Sequence, residues 1–206
     1  MIYDYILKNF KNGEPIFLYE IPGSSKEVIR QEMKRLTDNN KLMRLYNGVY
    51  FIPYKTILGT EGKISINKYI EKKYLYKDNK VSGYLTGLSL VNKCGFTSQN
   101  SSVYEIVSNE ATTKQRKIEV DGVQMVIYKP VVEISKKNIS TLEFLDLMSV
   151  INKYSELSGD EYRNKLKEYI SKNKIDFKEV RKYISFYPRI VYKNIFEGGL
   201  MSELVF

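Results

Sequence analysis

The sequence predicts an α+β chain: a small N-terminal helix-and-hairpin unit, then a mixed C-terminal region with a small, partly antiparallel sheet and several helices. Three observations predict this. Residues 24–53 set a stretch of helical periodicity directly before two β-prone runs. Residues 103–128 hold three short runs that alternate or stay apolar. Residues 142–197 return to helical periodicity, with capping and breaking residues between the runs.

At the N-terminus, Ile2, Ile6, Leu7 and Phe10 predict a short amphipathic helix with Gly13 beyond its end. Residues 16–21 are apolar enough for a strand or a one-turn helix, and Pro22-Gly23 forces a sharp turn. Ser24 can cap the next helix, whose buried stripe is Ile29, Met33 and Leu36. Asn39-Asn40 ends it. Leu42-Met43-Arg44-Leu45 and Val49-Tyr50-Phe51-Ile52 then read as two strands, and Asn47-Gly48 is expected to supply the positive φ angles of a two-residue hairpin turn.

A brace, a turn, a second helix and a hairpin, in that order, make a winged helix-turn-helix, expected over residues 1–60. In such a unit the exposed side chains of the second helix meet base edges in the major groove and the hairpin touches neighbouring backbone. With Ile29 at the centre of the buried stripe, Glu27, Arg30, Gln31 and Lys34 point to solvent and Lys26 lies at the margin. The candidate DNA-contacting residues are therefore Ser25, Lys26, Arg30, Gln31 and Lys34 on the helix, with Arg44, Tyr46 and Asn47 on the wing. The same pattern also suits a small scaffold with a solvated face, or a winged helix used for protein contacts.

Residues 55–62 read as a connector broken by Gly59 and Gly62, which sets a second domain over 61–206. Ile66, Tyr69, Ile70 and Tyr74 predict a helix with Lys63, Lys68, Lys72, Lys73 and Lys77 mostly on its wet face. In residues 82–99, Tyr84, Leu85, Leu88, Leu90 and Val91 read as a largely buried helix ended by Gly95, with Gly87 permitting close packing. No phosphate-cradling loop is expected, because no Lys-Ser or Lys-Thr follows these glycines. Strands are expected over 103–107, 117–120 and 125–128, with Asp121-Gly122 as the turn between the last two. Residues 142–154 are apolar on most sides and predict a central helix; Tyr162, Leu166, Tyr169 and Ile170 predict a one-sided one. Asp176 with Glu179 resembles a capping box, Pro188 breaks the helix that follows, and a last helix over 189–197 ends at Gly198-Gly199.

Composition narrows the function. The 33 Lys and Arg against 24 Asp and Glu, net +9, suit a polyanion partner. Of the 33, however, 26 are Lys, in a chain rich in Ile, Asn and Tyr, which is the bias of an AT-rich genome. Residues 163–193 carry ten basic and three acidic residues, so Lys165, Lys167, Lys172, Lys178, Arg181 and Lys182 form a candidate second basic surface. With no histidine and one cysteine, Cys94, triads, Cys-His dyads and zinc clusters are excluded, and Cys94 is expected in the core. Asp78-Asn79-Lys80 and Asp176-Phe177-Lys178 match the acidic-x-Lys triplet of metal nucleases by chance. No enzyme, cofactor or metal is expected. The absence of a long apolar run or a signal-like start predicts no membrane partner and a cytoplasmic location.

Four blocks together resemble the AbiEi family of antitoxins: Asn47-Gly48-Val49-Tyr50, the GYLTGLSLVNKCGFTSQ block of residues 83–99, YEIVSN at 104–109, and Tyr187-Pro188-Arg189-Ile190-Val191. The similarity covers nearly the whole chain. It implies an N-terminal winged helix that binds double-stranded DNA at its own promoter and represses its operon. It also implies a C-terminal domain that opposes a nucleotidyltransferase-like toxin encoded alongside, in a bacterial type IV system linked to phage abortive infection; direct toxin binding is not required. The wing departs from the family where Tyr46-Asn47 precedes Gly48, since relatives often carry a basic residue there.

Overall fold

The computed structural model describes residues 1–23 and 25–205 and is a mixed α+β structure with small sheets. It divides into two compact units, Met1–Lys72 with Glu119–Val123, and Lys73–Ile118 with Gln124–Phe206.

In the first unit, α1 (Ile2–Asn9) leads to β1 (Ile16–Phe17) and a 3-10 turn at Leu18–Glu20; α2 (Lys26–Asp38), β2 (Met43–Tyr46), β3 (Val49–Phe51) and α3 (Ile66–Ile70) follow. β3 is central and antiparallel to both neighbours, pairing Tyr50 with Ile16 on one side and with Arg44 on the other. The stripe expected on α2 is the one that is buried. Ile29, Met33 and Leu36 pack with Ile6 of α1 and with Ile16, Ile21, Leu42, Tyr50 and Ile52. Ser25 holds the N-cap position, its hydroxyl accepting the Val28 N–H at 3.2 Å, while Ser24 lies outside the described residues. Asn40 takes a positive φ of 56° just past the helix end, a conformation asparagine tolerates better than most residues.

Two expectations for this unit change. At the wing tip Gly48 has a φ of +78° but Asn47 does not have a positive φ, and the register shifts between Arg44 and Tyr46. One left-handed glycine and a bulge close this hairpin, the second-commonest solution to the same strand twist. The compact unit also runs to Lys72, past the expected boundary at residue 60. Residues beyond the connector are tied to those before it. The Tyr69 ring stacks on Phe17 at 5.9 Å, the Ser65 N–H donates to Gly13 O at 2.8 Å, and Lys72 Nζ reaches Glu14 at 3.1 Å and Glu20 at 2.9 Å. Lys72, expected on a wet face, is thus a half-buried cation between two carboxylates, with its Nζ also 4.7 Å from the Phe10 ring centroid.

The second unit opens with the hairpin β4 (Tyr76–Lys77) and β5 (Lys80–Val81), then β6 (Gly83–Thr86), α4 (Gly87–Lys93), β7 (Val103–Ser108), and all of β8 (Gln115–Val120) and β9 (Val123–Tyr128) except Glu119–Val123, which belong to the first unit. The four-stranded sheet has the order β6-β7-β9-β8; β6 is antiparallel to β7, and β7 is parallel to β9. Helices α5 (Ile139–Tyr154), α6 (Gly159–Asn173), α7 (Phe177–Tyr183), α8 (Ile190–Glu197) and α9 (Met201–Val205) complete it. α5 is the axis of the core: Phe144, Leu145, Leu147, Met148 and Ile151 are buried against Leu90, Leu166, Val180, Val191 and Ile195.

The expected single helix over residues 84–91 is instead a strand followed by a helix. Tyr84 and Leu85 pair with Val107 and Ile106, and the chain turns at Gly87 with a φ of +62°. Gly83 makes the pairing possible, because a Cβ there would stand 2.3 Å from Tyr74 O and 2.6 Å from Val107 O. The Asp121-Gly122 turn is as expected, with both residues at positive φ (52° and 76°).

Candidate functional site

The helix face named from sequence is intact in the structure. Lys26, Arg30, Gln31 and Lys34 are all exposed on α2, opposite its packed stripe. Among the described residues Arg30 pairs with Glu27 alone, at 3.9 Å, with both side chains well exposed, and such a pair contributes little. Lys26 and Lys34 have no ion pair among the described residues. Arg35 is different: its guanidinium is engaged by Glu32 through two hydrogen bonds of 2.9 and 2.7 Å, which withdraws it from the set of available cations. Val28, half exposed near the start of α2, is an apolar side chain that sequence reasoning passed over. On the wing, Arg44 Nη2 donates to Asn47 Oδ1 at 2.9 Å, so two of the three candidate wing residues are joined at the tip; Tyr46 is exposed beside them. Ser25 is occupied in capping.

The C-terminal basic set is more divided. Lys165 pairs with Glu168 at 3.0 Å, Lys182 pairs with Glu179, and Arg181 Nη1 donates to the carbonyls of Glu203 and Leu204 at 3.1 and 3.2 Å. Lys167, Lys172 and Lys178 are exposed with no ion pair among the described residues. Half of the expected surface is therefore spent on fixing helices and closing the C-terminal turn.

A third arrangement was not anticipated. Within the second unit a cavity of about 300 Å³ opens between the sheet and α5, and two carboxylates enter it, Asp146 from α5 and Glu105 from β7. Tyr84, Tyr128, Tyr154 and Tyr187 share its wall. Asp146 lies deep among protein atoms and meets solvent only in part. Burial pushes its carboxyl up to about 6, although the Tyr84 and Thr86 hydroxyls favour the charged form, and Glu143 and Glu105 add to the rise. Tyr84 and Tyr187 are in turn raised, first by burial and then by the Asp146 charge. Glu105 Oε1 accepts from Tyr128 Oη at 3.1 Å, and burial together with this carboxylate takes the phenol up to about 12. Gly87 is what admits Glu105: a Cβ at that position would lie 1.8 Å from Glu105 Oε2. Neither carboxylate has a cation within ion-pair distance among the described residues. Lys153 and Lys129 also line the cavity, but the Lys153 ammonium stands 4.8 Å from the Tyr154 ring centroid.

The remaining sequence candidates are structural. Asp78 and Asn79 are the two left-handed residues (φ 49° and 59°) of the β4–β5 turn, and Asp176 caps α7 by accepting the Lys178 N–H at 2.8 Å. Cys94 is half buried against the helical core, where burial and Glu143 push its thiol up to about 12. Groups of three or more potential metal-ligating side chains are absent among the described residues, and no described helix is long and apolar enough to cross a membrane. No protein-family model and no curated protein matches the chain.

Proposed function

We propose that the chain is a DNA-binding regulator that represses its own promoter and acts as the antitoxin of a bacterial type IV abortive-infection system. In this reading residues of the first unit form a winged helix-turn-helix, and the chain works in the cytoplasm by binding, not by catalysis. The observation that carries it is the placement of α2. A helix packed on one side by α1 and β1 presents Lys26, Arg30, Gln31 and Lys34 on the other, and a tight hairpin follows within a few residues. That order of elements supports reading α2 as the helix that enters the major groove and the β2–β3 hairpin as the wing that meets phosphate. The second unit would carry the antagonism of a nucleotidyltransferase-like toxin, a role supported by the resemblance of residues 83–99, 104–109 and 187–191 to AbiEi antitoxins.

Titration of the duplex upstream of its own gene at two salt concentrations tests the reading. Phosphate binding gives a log–log salt slope of about −0.9 per phosphate neutralised. Arg30→Ala should cost about 1–3 kcal/mol and relax the preference at one base pair, and Lys34→Ala should weaken all sequences alike and flatten the slope by about one. Met33→Asp is the contrasting control, since a carboxylate in the buried stripe unfolds the unit. A folded Arg30→Ala, Lys34→Ala protein that binds the promoter as tightly as the wild type rules α2 out as the reader.

A further inference from the structure

We propose that the cavity between the sheet and α5 is a binding site for a small organic cation, a primary amine or guanidinium, seated between Asp146 and Glu105 with its hydrocarbon body against the tyrosine rings. Two anions converge there, and although Lys129 and Lys153 stand on the same wall, neither carboxylate has a cation within ion-pair distance among the described residues. An unpaired carboxylate in a partly desolvated wall is costly, and proteins keep such groups where a ligand completes them. The hydroxyls of Tyr84, Thr86 and Tyr128 orient the two carboxylates without neutralising them.

Charge and shape favour an organic cation over the other occupants. An anion would face both carboxylates. A hard divalent ion requires six or more oxygen ligands, whereas this wall offers two carboxylates, and beside them stand apolar residues such as Val107, Val131 and Val150, two lysines and four tyrosines. Aromatic faces attract ammonium and guanidinium groups, worth about 0.5–2 kcal/mol per contact, and Lys153 already makes such a contact with Tyr154 at the same cavity. At about 300 Å³ the space suits a ligand of amino-acid size. The backbone is shaped to the same end, because Gly87 adopts a left-handed conformation and keeps clear the room that the Glu105 carboxylate fills.

The site lies wholly within the second unit and shares no residue with α2 or the wing, so its test stands apart from the DNA titrations. Isothermal titration of the full chain with agmatine, putrescine, methylguanidinium and tetramethylammonium at pH 7.5 and pH 5 is the direct experiment. The expected result is one site per chain for at least one of agmatine, putrescine and methylguanidinium, tighter than for tetramethylammonium, which has no N–H to donate, with affinity falling about tenfold at pH 5 as Asp146 takes up a proton. Asp146→Asn should weaken binding at least tenfold in a protein whose melting curve shows it folded. Glu105→Gln gives the same reading independently if the first variant does not fold. Lys167→Ala, on α6 and outside the cavity lining, should leave binding unchanged. Absence of heat with all four cations overturns the proposal. So does binding that Asp146→Asn and Glu105→Gln leave intact, or saturable binding of Mn²⁺ or of guanosine in place of the cations.

Discussion

Replacing Asp146 by Asn should make the protein more stable at neutral pH, and the gain should vanish in acid. Burial holds the carboxyl at about 6 in the folded chain, against an ordinary value of 3.8. A folded-state value above the unfolded one means that the native protein binds the proton more tightly, so stability is greatest below about pH 4 and declines as pH rises through 6. About two pKa units at 1.36 kcal/mol each amount to about 3 kcal/mol lost by pH 7. Every group facing the carboxylate acts in the expected sense: Glu143 and Glu105 raise it, and the Tyr84 and Thr86 hydroxyls only partly offset burial. Asn removes the charge and keeps a carbonyl to accept from one hydroxyl; its amide introduces an offset that does not vary with pH. The diagnostic quantity is therefore the difference between variant and wild type in urea unfolding at pH 4.5, 6 and 7.5. On top of that offset it should grow by about 2 kcal/mol between pH 4.5 and pH 7.5 and level off above pH 7. A difference that stays constant across this range would refute the assignment of a strained, buried charge at Asp146.

Three further outcomes follow from the same geometry. Gly87→Ala should destabilise the second unit by about 2 kcal/mol or more, since the left-handed backbone costs a β-carbon about 1–2 kcal/mol and the new methyl meets Glu105; Glu105→Ala in the same chain should restore the steric part, read as non-additivity in a double-mutant cycle of urea midpoints. Lys72→Met should cost about 1–3 kcal/mol by leaving Glu14 and Glu20 half buried without their cation. Burial opposes ionisation of Glu14, but the Lys11 amide and Lys72 hold its carboxyl below the usual range, so the deficit should close as pH falls through that lowered value. A fragment ending at residue 60 should melt well below one ending at residue 72, because it lacks the Tyr69 ring on Phe17 and the Lys72 bridges; equal melting temperatures by circular dichroism would place the edge of the unit at the connector instead.

The residues that were readable in the sequence are those whose structure is decided locally. Ile29, Met33 and Leu36 announce α2 by spacing alone, and Asp121-Gly122 announces its hairpin because only a few residue types accept two left-handed conformations in a row. Tyr84 and Leu85 misled for the opposite reason. Their apolar spacing continues into α4, and what makes them a strand is Gly83 fitting between two carbonyls contributed by Tyr74 and Val107, 9 and 24 residues away. The cavity belongs wholly to this second kind. Glu105, Tyr128, Asp146 and Tyr187 come from different elements, and no window of sequence contains them together. One signal was nonetheless present: Asp146 stands in LEFLDLMSV, a mostly apolar run of a helix whose other carboxylate, Glu143, lies one turn earlier, and a carboxylate set among such neighbours must either be paired or cost stability. Among the described residues the structure gives it hydroxyls and no cation within ion-pair distance. A chain that keeps a group costing about 3 kcal/mol where Asn would fit gains something from its charge, and stability sacrificed at one such position is the physical mark of a binding site.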